Sequence, residues 1–345
     1  MLILSHDQVL TTLQSLSKTQ CLEILSSVQH ALSAISTTPS PIHQPLRTPI
    51  TTSTGYTSLF MPASTTTTTG IKTVTVHSDG GPHLGALAIF APNGELIGLL
   101  NAEELTGFRT ALMTMLGFVK RVCEVDGELV IFGAGKQAEW HLRLAMLFGP
   151  REGKISRVTV VGRGAQRTTA FETHVVEEMR RSYPGVIFSM LCSEGNATYQ
   201  EQLNDVLGSS AAIFCCTPSR EPLFAFSSID TPGRTRFISL IGSFKPQMME
   251  VDPETLLSGD LLCVDTRDGC IKEAGEMHTA KVTPEQVIQM GDLLALDDNH
   301  ESRDVLRKQN VVFRAVGMGV LEIVVGKAVL DIAADRQIGT RIDDL

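Results

Sequence analysis

The chain has 345 residues, 43% hydrophobic and 19% charged, with a net charge of −9. That length allows two domains and a sizeable core, and the composition is that of an ordinary soluble globular protein. The negative charge and scattered basic residues exclude a nucleic-acid or anionic-membrane binder, and seven cysteines without paired spacing indicate a reducing, cytoplasmic setting.

No basic segment followed by an apolar run opens the chain, so no secretory signal is expected. Residues Ser5–Ile35 carry leucine and isoleucine at helical spacing and predict two short helices. The Pro/Ser/Thr-rich stretch Thr37–Pro45 predicts a loop. From Leu46 to Leu100 the pattern turns to β, over Leu46–Thr51, Thr57–Met61, Ile71–His77, Leu84–Phe90 and Glu95–Leu100. Pro92-Asn93-Gly94 marks a hairpin, and Thr65–Thr69 reads as a polar turn. A helix from about Thr106 to Cys123 follows. Its apolar part, Ala111–Val119, is flanked by Arg109 and Lys120-Arg121 and is too short to span a bilayer. Strands and helices then alternate, with strands at Leu129–Phe132, Val158–Val161, Ile187–Leu191, Ala211–Cys215, Phe237–Leu240, Leu261–Val264 and Val311–Phe313. This predicts an α/β chain whose C-terminal half, 126–314, is a Rossmann-type doubly wound parallel sheet. The last helix, Gly319–Ala334, is too long and apolar for a tail. It is expected to return to the N-terminal domain, so that 1–125 and 315–345 form one discontinuous α+β domain.

The segment Glu128–His141, ELVIFGAGKQAEWH, carries the strongest chemical signal. A strand runs into Gly133-Ala134-Gly135-Lys136-Gln137-Ala138 and then into a helix, the order a dinucleotide pyrophosphate needs. Gly133 permits the tight turn, Gly135 lets backbone approach phosphate, and Ala138 lets the helix sit close on the strand. The helix N-terminus offers unpaired N–H groups to the anion. The next strand ends in Gly162-Arg163-Gly164-Ala165-Gln166-Arg167. A site for NAD(H) places Asp or Glu there, on the ribose hydroxyls. Here Arg163 and Arg167 stand in its place, and their guanidinium groups suit a 2′-phosphate. The cofactor is therefore read as NADP(H) in preference to NAD(H), with two solvated arginines as the plain alternative.

Three basic residues of the N-terminal half complete the candidate chemistry. Lys72 lies in a β-branched strand and can point inward. Arg47 lies in the strand Leu46-Arg47-Thr48-Pro49. Arg109 falls in the first turn of the helix opened by Thr106, where a cation opposes the dipole unless an anion is bound. A substrate carboxylate is such an anion. Taken singly, each reads as a surface charge.

In this context Lys72 in IKTVTVHSD, Leu59-Phe60-Met61-Pro62-Ala63, Glu104-Leu105-Thr106-Gly107-Phe108-Arg109-Thr110-Ala111, GAGKQA, Ile241-Gly242 followed by Pro246 and Glu250, and Val316-Gly317-Met318-Gly319 resemble the ornithine cyclodeaminase/mu-crystallin family. The resemblance covers nearly the whole chain. It implies a Rossmann domain plus a substrate and dimerisation domain whose sheet completes a barrel across a homodimer. It also implies a nicotinamide cofactor acting with a small amino or imino acid. By position, Arg47 and Arg109 would bind the substrate carboxylate and Lys72 would be the active-site lysine, its pKa lowered by the two arginines. Cyclodeaminases of the family carry an aspartate two residues after the glycine matching Gly242. This chain has Phe244 there, and phenylalanine transfers no proton. With Arg163, this points to the mu-crystallin-like ketimine reductase branch. Thr217, Pro218, Val316 and Gly317, each following a strand, are expected near the nicotinamide.

The chain has no zinc spacing, nucleophile elbow or phosphate loop of the P-loop type, and His77 and His83 read as surface or loop residues. The expectation is NADPH-dependent reduction of a small, cyclic 2-imino acid. The alternatives are ammonia-releasing cyclisation of a diamino acid, amino-acid dehydrogenation, and an NADPH-loaded binding protein without turnover.

Overall fold

In the computed structural model, which describes residues 1–37, 40–78, 81, 83–122, 127–149, 155–296 and 301–343, the chain divides into two units. One comprises Met1–Thr110 and Gly317–Leu345, the other Ala111–Val316.

In the first unit, helices His6–Gln14 and Lys18–Ile35 each open on a capping box, Ser5 with Gln8 and Ser17 with Gln20. Each box satisfies two backbone donors that the helix start leaves unpaired. The sheet holds β1 (Leu2–Leu4), β2 (Thr48–Thr51), β3 (Tyr56–Ser64), β4 (Thr69–His77), β5 (Leu84–Phe90), β6 (Leu96–Asn101) and the short strand Thr340–Arg341. The order runs from Thr340–Arg341 through β1, β6, β5, β4 and β3 to β2. Only β1 and β6 pair in parallel; the other neighbours are antiparallel. The C-terminal helix Gly319–Asp335 packs across β3, β4, β5 and β6 and buries Val320, Leu321, Ile323, Val325, Val329 and Leu330. Two glycines let it lie close: a Cβ at Gly326 would overlap Leu87, and one at Gly70 on β4 would stand 2.9 Å from Ile323.

The second unit contains one all-parallel sheet of β7 (Gly127–Phe132), β8 (Ile155–Gly162), β9 (Ile187–Cys192), β10 (Ser210–Cys215), β11 (Phe237–Leu240), β12 (Leu261–Val264), β13 (Ile288–Gln289) and β14 (Val311–Arg314). Its order is β13-β12-β14-β11-β10-β7-β8-β9. The order reverses between β7 and β10, the switch point where ligands of such sheets bind beyond the strand ends. Val130, Phe132, Ile213, Leu240, Val264 and Val312 belong to its core. No described helix is long and apolar enough to cross a membrane.

The expected strands are present with ends moved by a residue or a few. β1, β13 and Thr340–Arg341 were not expected, because two or three residues are too short to show alternation. The helix expected from Thr106 starts earlier and spans Glu103–Val122. Asn101 Oδ1 accepts the Glu103 N–H at 3.0 Å, and the Ala102 carbonyl accepts the Thr106 N–H at 3.0 Å. Arg109 therefore sits in the second turn, and the dipole argument for an anion beside it does not hold. Cys123, its expected last residue, lies outside the described residues.

Candidate active site

Lys72 and Arg109 meet on a third residue that sequence reasoning did not single out. Lys72 Nζ donates to Glu322 Oε1 at 2.6 Å and to Thr106 Oγ1 at 2.7 Å. Arg109 Nε donates to the same Glu322 oxygen at 2.8 Å. All three charged side chains are buried: Lys72 is 3% exposed, Arg109 5% and Glu322 0%. Lys72 comes from the middle of β4, Arg109 from the helix Glu103–Val122, and Glu322 from the first turn of the C-terminal helix. Thr106 Oγ1 gives its own proton to the Ala102 carbonyl at 2.6 Å, which leaves a lone pair for the ammonium. The guanidinium end of Arg109 lies against Gly317: a Cβ there would stand 3.1 Å from Nη2 and 3.3 Å from Nη1. Gly317 has φ +94°, which also disfavours any side chain.

Two buried cations share one carboxylate, so the cluster carries a net positive charge that a bound anion would balance. Burial is the main force pulling the Lys72 ammonium down to about 8. Glu322 pushes it back up, and Arg109 and Arg47 add to the fall. The expected direction is present, but desolvation rather than the arginines is its chief cause. For Glu322, burial alone would raise the carboxyl; Arg109 and Lys72 overrule it and hold the group below the usual carboxylate range. Arg47 precedes β2 rather than lying within it and is half-buried.

The nucleotide-type turn lies in the second unit, beyond the end of β7. Gly133 has φ +123°, and its N–H donates to the Val161 carbonyl at 2.8 Å. A Cβ there would press on the Cys216 carbonyl at 3.1 Å. Gly135 caps the helix Lys136–Phe148 without a side-chain hydrogen bond, and the space where its Cβ would be is open. That cradle fits a pyrophosphate. Ala138 is buried against the strand, while Ala134, Lys136 and Gln137 are half-buried around the turn. Behind it, burial pulls His141 down to about 4, so the ring is neutral. Its Nδ1–H donates to the Gln137 carbonyl at 2.7 Å, and its Nε2 accepts from Thr114 Oγ1 at 3.0 Å.

Gly162 ends β8 where a Cβ would collide with Thr168. Arg163 and Arg167 follow it, both exposed. An acid does stand at this strand end, from elsewhere in the fold: Glu194, just after β9, accepts the Ala165 N–H through Oε2 at 2.6 Å. The reading of an acid-free strand end holds for β8 alone, because the parallel neighbour brings in an acid that the local sequence does not show.

Thr217 and Pro218 follow β10, Phe244 follows β11, and Val316 follows β14. Buried acids brace these loops. Glu250 accepts the Thr217 N–H at 2.9 Å with one oxygen and the Gly242 N–H at 2.7 Å with the other. Its burial pushes the carboxyl up to about 8, against the pull of Arg314 and the two amides. Arg314, fully buried beside Glu276, donates to the carbonyls of Leu240, Ala315 and Ser243. Asp265 accepts the Val316 N–H at 3.1 Å. Phe244 is half-buried, with Lys245 Nζ 5.6 Å from its ring centre. The signal for Glu322 was a lone acid within the apolar run Val320–Val325; that for Glu250 was its place among the family motifs. Glu194, Asp265, Glu276 and Arg314 had no local signal.

Comparison with known proteins identifies the family. The model of the ornithine cyclodeaminase/mu-crystallin family matches residues 6–337. A Bacillus cereus Delta(1)-pyrroline-2-carboxylate reductase is 23% identical over 313 residues, covering 86% of this chain and 89% of its own length. The ketimine reductase mu-crystallin of Rattus norvegicus is 24% identical over 339 residues, 95% of this chain and 96% of its own. The solved Thermococcus litoralis Delta(1)-pyrroline-2-carboxylate reductase, in complex with NADH and L-proline, shares the fold with a TM-score of 0.79 at 19% identity, covering 99% of this chain and 100% of that one. With the family model spanning nearly its full length, the chain belongs to the ornithine cyclodeaminase/mu-crystallin family.

Proposed function

We propose that this protein, a nicotinamide-dependent oxidoreductase of C–N bonds like its relatives, reduces small cyclic 2-imino acids, with NADP(H) preferred over NAD(H), as a cytoplasmic homodimer. The observation that carries the reading is the buried cluster in which Lys72 and Arg109 share one oxygen of Glu322. Its excess positive charge calls for an acid. Arg109, held at Nε, has Nη1 and Nη2 left to grip a carboxylate side by side, and Arg47 adds a second cation. Fixing the acid fixes the neighbouring C=N group and makes its reduction an oriented, near-unimolecular step. Lys72, at about 8, holds a proton on Nζ at neutral pH and donates a hydrogen bond to the substrate. Phe244 stands where the family's cyclodeaminases have an aspartate, which favours reduction over ammonia release.

Gly133, Ala134, Gly135, Lys136, Gln137 and Ala138 would hold the cofactor pyrophosphate. Thr217, Pro218, Val316 and Gly317 would lie by the nicotinamide, which supplies the hydride. Gly162, Arg163 and Arg167 favour a 2′-phosphate. Glu194 on the Ala165 amide opposes it, and NADH is the second reading for that reason. Every residue of the edge strand β2 is exposed, in keeping with a partner there.

The test is oxidation of NADPH and of NADH with five- and six-membered cyclic ketimine acids, with ammonia release from ornithine assayed in parallel. Ketimine-dependent oxidation is expected. Ammonia without net cofactor use would favour cyclodeamination, and tight binding of the acid with no turnover in either assay would favour a binding protein.

A further inference from the structure

Resting on that reading of the site, we propose that Glu322 is its positioning residue: through a single buried oxygen it aims the Lys72 ammonium and turns the Arg109 guanidinium so that the Nη edge meets the substrate acid. Both cations bind Oε1, while Oε2 is buried with no hydrogen-bond partner among the described residues. A buried acceptor left unpaired is unfavourable. Giving each cation its own oxygen would remove that penalty. The shared oxygen instead draws two side chains from different elements toward one point. It also engages Arg109 at Nε, the one donor that leaves the outer pair side by side.

Glu322 itself is placed by packing. The C-terminal helix lies close on β4 and β5 because Gly70 and Gly326 carry no side chain, and the carboxylate enters from the first turn of that helix. Among the described residues, the groups facing Lys72 are Glu322 from this helix, Arg109 and Thr106 from Glu103–Val122, and Arg47 from the segment before β2. Glu322 is the sole member of the set that favours the protonated amine through its charge. It therefore aims Lys72 and counters the burial that would strip its proton.

The experiment compares wild type with Glu322→Gln and Glu322→Asp. Initial rates are followed against ketimine acid and against pH. The Lys72 Nζ resonance is titrated by nitrogen NMR without substrate, and binding of pyrrole-2-carboxylate, an unreactive acid of similar shape, is measured by calorimetry. In Glu322→Gln, KM for the acid and the dissociation constant of the probe should rise about tenfold, the loss of one charge-assisted alignment. The alkaline limb and the Lys72 titration should move to lower pH by about a unit or more, while cofactor affinity stays within about twofold. Glu322→Asp, charged but shorter, should fall between the two. A merely structural ion pair would shift the Lys72 titration as well, because Glu322 is in contact with the ammonium, but it would lower thermal stability and leave KM and probe affinity of the folded protein unchanged, and that result overturns the proposal. If Glu322→Gln does not fold, Glu322→Asp decides: wild-type values for KM and for probe affinity overturn it, intermediate ones support it. If wild type reduces no ketimine acid, the proposed reaction fails, while binding of the probe still decides the role of Glu322.

Discussion

Replacing Arg109 by alanine should cripple acid binding and spare cofactor binding. Arg109 is 5% exposed, anchored at Nε to Glu322 at 2.8 Å, with Nη1 and Nη2 directed toward Gly317. A hydrogen bond to a charged group contributes about 1.5–3 kcal/mol net. Two such bonds to a carboxylate total about 3–6 kcal/mol. Lys72 and Arg47 remain nearby and recover part of this, so a loss of about 3 kcal/mol is expected, or ~10²-fold in KM. A second effect has a definite sign. Arg109 lowers the Lys72 pKa, so its removal moves the alkaline limb of the rate profile to higher pH. Arg109→Lys keeps the charge without the paired donors, and its KM should rise about tenfold. The assay is the initial rate of reduced-cofactor oxidation against ketimine acid at several pH values, with calorimetric cofactor binding as the control. A KM for Arg109→Ala within about twofold of wild type, at unchanged cofactor affinity, would refute the assignment of Arg109 to the acid.

Four further outcomes follow from the same geometry. Lys72→Met should lower kcat by ~10²-fold, the usual size of a lost proton-handling group, with cofactor affinity unchanged by calorimetry; equal loss of cofactor binding would point to collapse of the unit instead. In wild type the Lys72 ammonium is charged below about 8 and neutral above it, so kcat/KM should fall as pH rises through that value, and a flat profile from neutral pH to 10 would remove the charged lysine from the reaction. Arg163→Asp should shift preference toward NADH, while Glu194→Gln, which takes a negative charge from the Ala165 amide, should shift it toward NADPH; the ratio of kcat/KM for the two cofactors reads both, and an unmoved ratio in both variants dissociates this strand end from the adenosine ribose. Glu250→Ala strands the N–H groups of Thr217, which is part-buried, and Gly242, which is buried. At about 1–3 kcal/mol each and about 2–4 °C per kcal/mol, it should lower Tm by roughly 4 °C or more, and an unchanged Tm would mean that the two amides find other partners.

What could be read in the chain was what is local. Gly133 and Gly135 between an apolar strand and a helix identify their turn because strand, glycines and helix are contiguous. Lys72 stands out because its strand neighbours are apolar or β-branched. What could not be read depends on pairing across the fold. Glu322 is 250 residues from Lys72, and nothing local to either names the other. Glu194 reaches the Ala165 amide only because β9 lies parallel beside β8. The start of the helix carrying Arg109 was misplaced because Asn101, rather than Thr106, caps it. That error gave Arg109 a dipole argument, where the real reason for its burial is a carboxylate from the far end of the chain.

The most direct test follows the hydride itself. The protein is incubated with a cyclic ketimine acid and reduced cofactor carrying deuterium at the transferable position of nicotinamide C4, and the amino acid product is examined by mass spectrometry and NMR. The account predicts a deuterium on the product's α-carbon, with a single stereochemistry. Cofactor that stays reduced, or an amino acid formed without the label, would contradict it.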